Sequence, residues 1–108
     1  MRYCVCFLLP LIFSGNALAT CSGVSCTGVK VTRIVVESDG GTTISTSGDE
    51  SKLSCDAGSN GYIKLDPSSK NYDSVYSLLL TAHTTEHPIW VRTTDSGVCK
   101  LIYAVSDK

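Results

Sequence analysis

Three short β-like runs, one amphipathic helix and two further β-like runs follow one another along the chain, and this order constrains the fold more than any single residue does. Residues 29–36 are β-branched and partly alternating, the pattern of a strand. The alternation slips at Ile34, Val35 and Val36, which predicts a bulge there or a strand shared between two sheets. Asp39, Gly40 and Gly41 form a turn signal, and residues 42–46 read as a second strand. Residues 47–60 are polar and glycine-rich, with Leu53 their one large aliphatic side chain. They read as a loop carrying Cys55. Residues 61–65 form a third strand, ended by Asp66 and Pro67. The helix starts at a cap, Asn71 or Asp73, and stops before Pro88, because the residue preceding a proline avoids helical geometry. Val75, Leu79 and Ala82 recur at helical spacing, with Tyr76, Leu80 and His83 beside them and Leu78 completing a broad apolar face. Residues 89–92 and 99–105 supply the last two strands.

The order β-β-β-α-β-β is that of a mainly β fold with one helix, the small five-stranded OB-like barrel, whose members bind sugars and oligonucleotides. A secretion signal precedes it. Arg2 gives the positive start, residues 5–13 a short apolar run, and Ala17-Leu18-Ala19 a small-x-small cleavage site. The apolar run is too short to cross a bilayer, so residues 1–19 are read as a signal peptide cut after Ala19, and residues 20–108 as a single OB-like domain. A lipid anchor on Cys21 is disfavoured by Thr20, since lipidation wants a smaller residue there. The mature domain is expected to be secreted or periplasmic, soluble and without a membrane span.

Cysteine content follows from that reading. Six cysteines become four when Cys4 and Cys6 leave with the signal. Cys21, Cys26, Cys55 and Cys99 lack the close Cys-x-x-Cys spacing of a zinc site, and in an exported domain they imply two disulfides. In an OB-like barrel the chain start, the second loop and the last loop share one end. All four cysteines then lie within reach and three connectivities are open; the favoured one is Cys55–Cys99, whose two loop cysteines would clamp the barrel, with a local Cys21–Cys26 bridge. With 9 basic and 10 acidic residues the charge is near neutral and unclustered, which argues against nucleic acid.

No constellation suggests catalysis. His83, Glu86 and His87 approach metal-ligand spacing, but His87 precedes Pro88 and two ligands are too few. There is no Gly-x-Ser-x-Gly elbow, and neither histidine has an orienting acid. Gly40 and Gly41 suit a hairpin, not a phosphate loop. No enzyme activity and no cofactor or metal are expected. Trp90 is the most informative side chain. Ile89 and Val91 share one strand face, so Trp90 and Arg92 share the other. Trp90 then either packs at a subunit contact or offers its indole face to a sugar ring. Arg92 beside it, and Asp39 and Thr42 near the barrel rim, are further ligand candidates through their hydrogen-bonding groups.

Ser77-Leu78-Leu79-Leu80-Thr81-Ala82, then a short link, a strand ending Val91-Arg92-Thr93-Thr94, and then Cys99, resemble the B subunits of Shiga-type toxins. Cys26, Thr27-Gly28, a β run, the Asp39-Gly40-Gly41 turn and a threonine-rich strand are similar in order as well. The resemblance implies an OB barrel in a ring pentamer, with helices lining a pore, an outer surface binding cell-surface glycan, and an A-type partner subunit. It also implies a different pairing, Cys26–Cys99, leaving Cys21 with Cys55. The chain departs from that pattern in its loop holding Cys55, its two additional cysteines and the single aspartate of its turn. Three consecutive leucines cannot all face one core, since neighbours on a helix point about 100° apart. An oligomer is expected, with Tyr76 and Leu78 as interface candidates. The expected function is a non-catalytic, glycan-binding module. The alternative is a structural or envelope-associated or protein-binding domain with neither sugar ligand nor toxin partner.

Overall fold

The structure is a computed structural model and describes residues 18–107. The expected signal segment lies outside the described residues up to position 17, and Cys4 and Cys6 lie there with it. The protein is mainly β with one helix. Seven strands are present: β1 (Thr20–Ser22), β2 (Ser25–Val29), β3 (Val31–Val36), β4 (Thr42–Thr46), β5 (Ile63–Leu65), β6 (Ile89–Thr93) and β7 (Leu101–Val105). Helix α1 spans Tyr72–Thr85, between β5 and β6, and a 3-10 turn covers Glu50–Lys52. The strands form two antiparallel sheets, ordered β1-β2-β6-β7 and β3-β4-β5.

The expected five-stranded barrel is corrected in two respects. Two strands were not anticipated: β1 and β2 both form in the cysteine-rich lead-in, and the first predicted strand, 29–36, gives up Val29 to β2 and runs as β3 from Val31. The division has a local cause. Pairing of β2 with β6 shifts register between Cys26 and Val29, and Gly28 within that step adopts φ +62°, a left-handed conformation that an L side chain resists. Val29 and Val31, on either side of Lys30, are both buried but serve different sheets. The slip expected at Ile34–Val36 is absent, because those residues pair in regular register with Ile44, Thr43 and Thr42. The two sheets also do not close into a barrel. β5 and β7 meet at an isolated parallel bridge, Lys64–Lys100, where Lys64 N donates to Cys99 O at 2.9 Å, rather than along a ladder.

The core lies between the sheets and under the helix. Ile44, Ile63, Leu79, Val29 and Val91 are its largest fully buried side chains. β6 alternates as its sequence demands, with Ile89, Val91 and Thr93 inward. Leu79 and Ala82 bury the helix, and His83 Nδ1 donates to Val31 O at 2.8 Å, tying α1 to β3. Asn71 is the N-cap position but forms no side-chain cap, and Asp73 falls in the first turn, where its charge suits the helix dipole. The C-terminus closes with Glu86 in the left-handed region, φ +58°, its N–H donating to Ala82 O. Of the three leucines, Leu79 is core, Leu78 is half-buried, and Leu80 is 41% exposed. Leu80 therefore leaves the apolar face assigned to it. Among the described residues no helix is long and apolar enough to cross a membrane.

The disulfides are Cys21–Cys26 and Cys55–Cys99. The first joins directly opposed residues of β1 and β2. The second ties the β4–β5 loop to the β6–β7 loop, and backbone bonds between Asp56 and both Gly97 and Cys99 reinforce it. The pairing implied by the toxin resemblance does not form. Both bridges fit an oxidising compartment. The segment read as a polar loop, 47–60, contributes Glu50, Leu53, Cys55 and Ala57 to the interior. Glu50 is anchored by Thr46, whose N and Oγ1 both donate to its carboxylate. Gly61 passes so close that a Cβ there would lie 2.7 Å from Glu50 Oε1, and its φ of +67° excludes most side chains in any case.

Candidate binding surfaces

The four ligand candidates separate into two pairs on different sheets. Trp90 and Arg92 occupy the outer face of β6, as the inward turn of Ile89 and Val91 requires. Trp90 is half-buried and packs edge-to-face against Tyr103, with ring centroids 5.4 Å apart and planes at 78°. Tyr103 stands opposite Arg92 in the β6–β7 register and Val105 stands opposite Trp90, so these four residues share one face. Tyr103 is 40% exposed and Arg92 is exposed. Sequence reasoning missed Tyr103, although its two-residue spacing from Val105 in a predicted strand was the available signal.

The face is shaped by a bulge. Arg92 pairs with Tyr103 and Thr93 with Leu101, so Ile102 is an extra residue on β7. A bulge re-aims the side chain it inserts. Ile102 is consequently 54% exposed on the edge strand β7, set apart from the Trp90–Tyr103 face.

Asp39 and Thr42 line a second hollow, of 290 Å³, with Glu37, Lys64 and Pro67. Asp39 is exposed, and its Oδ1 accepts from Gly41 N at 3.1 Å, which fixes the β3–β4 turn. Thr42 differs from expectation. It is 2% exposed, and its hydroxyl is bonded at 2.6 Å to Tyr72 OH, so it serves the packing of α1 on β4 and offers no free group at the surface.

The interface candidates lie on different sides of the helix. Positions 76 and 78 are about 200° apart around the axis. Tyr76 stacks on Tyr72 at 6.4 Å, whereas Leu78 lines an open groove of 570 Å³ with Thr81, Thr85 and His87. Leu80, one turn beyond Tyr76, is the leucine that presents its side chain to solvent. His83 and His87 each bind a backbone carbonyl, of Val31 and of Asp107, and do not converge. Among the described residues no cluster of three or more histidine, cysteine or acidic side chains could hold a metal ion.

The two carboxylates with shifted acidity belong to turns. The Ser51 hydroxyl and then its backbone N–H hold the Asp49 carboxyl below its ordinary range, and Ser68 does the same for Asp66. These are local capping bonds that pre-organise loops. They are not catalytic pairs. No family model, no curated protein and no solved structure matches the chain.

Proposed function

We propose that this chain is an exported, non-catalytic binding module of OB-like architecture that holds a cell-surface glycan on the Trp90–Tyr103–Arg92 face and works as one subunit of a ring oligomer. The observation that carries the reading is the aromatic pair on the outer face of β6 and β7. An indole face braced by a neighbouring ring is pre-organised to receive the apolar side of a pyranose, and Arg92 beside it donates hydrogen bonds to ring hydroxyls. The OB-like part is supported by the pairing order. One continuous stretch, β2 then β3, pairs first with β6 and then with β4, and the Lys64–Lys100 bridge is parallel, as barrel closure between those strands would need. The oligomer is supported by Leu80, a leucine 41% exposed on the helix that a neighbouring helix would cover.

A second reading, capture of another protein, is favoured by one observation: Ile102 and Val98 are 54% and 49% exposed near one sheet edge. A glycan array and a solution mass separate the readings. Trp90→Ala is expected to lose at least about tenfold in glycan binding with its mass unchanged, and Leu80→Glu to shift the protein to monomer, weakening binding through lost avidity. A protein that binds no glycan as wild type, or a Trp90→Ala variant that binds as well as wild type, sinks the first reading.

A further inference from the structure

Where the two sheets fail to close, a hollow remains. β5 and β7 part after the Lys64–Lys100 bridge, and the first turns of α1 cover the gap. The space measures 200 Å³ and is walled by Leu65 from β5, Tyr72 and Val75 from α1, and Leu101 and Ile102 from β7, with Lys100 at its rim. Three elements therefore meet around a half-open space with apolar walls and a polar edge that includes Ser69 and Thr94, which is how small ligand sites are built.

The walls are pre-set. Tyr72 is held by its 2.6 Å bond to Thr42 and by stacking on Tyr76. Ile102 is turned toward the hollow by the bulge that removes it from the β6–β7 pairing. The volume suits one ring: a dry cavity of about 150 Å³ accepts benzene. The rim decides the charge. Among the described residues Lys30–Glu86 is the one ion pair, so the Lys100 ammonium has no carboxylate in contact. Asp66 also lines the rim; its Oδ1 accepts from Ser68 N at 2.9 Å and Ser68 Oγ at 2.7 Å, and it feels the Lys100 charge without forming an ion pair with it. An anion gains Lys100. A second negative charge would meet Asp66, which disfavours phosphate and other dianions.

We propose that this hollow is a binding site for a small apolar monocarboxylate, one ring or short chain in size, with its carboxylate on Lys100 and its apolar part between Tyr72, Val75 and Ile102. The site is separate from the Trp90 face and does not depend on the glycan reading.

The test is a ¹H–¹⁵N titration of the oxidised protein with benzoate, with benzyl alcohol as the neutral analogue and inorganic phosphate as the bare anion, each to about 10 mM. Benzoate is expected to shift Val75, Leu101 and Ile102 and to bind at least about tenfold more tightly than benzyl alcohol. Lys100→Gln should erase that preference and leave the weak binding of benzyl alcohol in place. Val75→Phe should fill the hollow and abolish both, and Lys100→Gln decides the matter if that variant does not fold. Four results overturn the proposal: no shift with benzoate, equal affinity for the two ring compounds, equal response to phosphate, or shifts centred on Trp90 and Tyr103 instead.

Discussion

The four-stranded sheet and the three-stranded sheet hold themselves together by different means. The first contains the Cys21–Cys26 bridge within β1 and β2, and its β6 strand alternates cleanly between core aliphatics and outer residues. The second has no disulfide between its own strands. It relies on hydroxyl and carboxylate bonds instead: Thr42 to Tyr72, Thr46 to Glu50, and Ser45 Oγ to Gly61 O at 3.1 Å. Cys55–Cys99 is the covalent tie between the loops of the two. The difference bears on function. In the three-stranded sheet Thr42, Ser45 and Thr46 are committed to holding loops and helix in place, while the buried Thr43 hydroxyl has no partner among the described residues. In the stapled sheet Trp90, Arg92 and Tyr103 remain available on the outer face.

The strongest way to break this comparison is to remove the bridges one at a time. Cys55 and Cys99 are 44 positions apart, and Cys21 and Cys26 only 5. A longer closed loop removes more entropy from the unfolded chain, so replacing Cys55 and Cys99 by serine is expected to cost about 4 kcal/mol, against about 2 kcal/mol for the short bridge. Urea midpoints of the two double variants measure this. Equal losses would mean that loop closure is not what distinguishes them.

The next largest effect tests the bonded sheet. Glu50→Ala leaves the buried N–H and hydroxyl of Thr46 without their acceptor, and is expected to cost about 2 kcal/mol. Hydrogen exchange should speed up at Thr46 and stay unchanged at Val91, on the other sheet. Loss of protection at both sites would show that the sheets do not respond separately.

The smallest effect is acid sensitivity. Asp49 and Asp66 have carboxyls lowered from 3.8 by their serine partners, so each contributes stability above that value and loses it as pH falls through its lower folded value. Both are fully exposed, so the loss is slight. Asp66→Asn should lower stability slightly at neutral pH and converge with wild type in acid, which flattens the stability curve below pH 3.8. An unchanged acid slope in that variant would remove Asp66 as a contributor.

Local pattern made much of the fold legible. The helix could be read from Val75, Leu79, Ala82 and Pro88, and the facing of β6 from Ile89 and Val91, because each depends on neighbours close in sequence. The shared end of the chain start and two loops brought the four cysteines within reach, and the favoured pairing, Cys21–Cys26 with Cys55–Cys99, is the one that forms. Other features were hidden because they depend on distant partners. Nothing near Thr42 announces that Tyr72, thirty residues on, takes its hydroxyl. Residues 47–60 looked like solvent-exposed loop because polar composition does not reveal that Glu50 is buried against Thr46. Leu80 looked like core because the helix was read as having one broad apolar face, whereas the sheets cover a narrower stripe centred on Leu79 and Ala82.

Local residue pattern was enough to specify a mainly β chain with one helix, the helix ends to within a residue or two, and the inward side of β6. These follow from side-chain periodicity and from the backbone limits of proline, which act within a few residues. Tertiary structure alone decided that the first strand divides at Lys30 between two sheets, that Ile102 bulges out beside Tyr103, and that a hollow stays open between β5 and β7. Each of these is settled by strand register and by how two sheets meet, and register is a property of pairs of segments that no single segment carries.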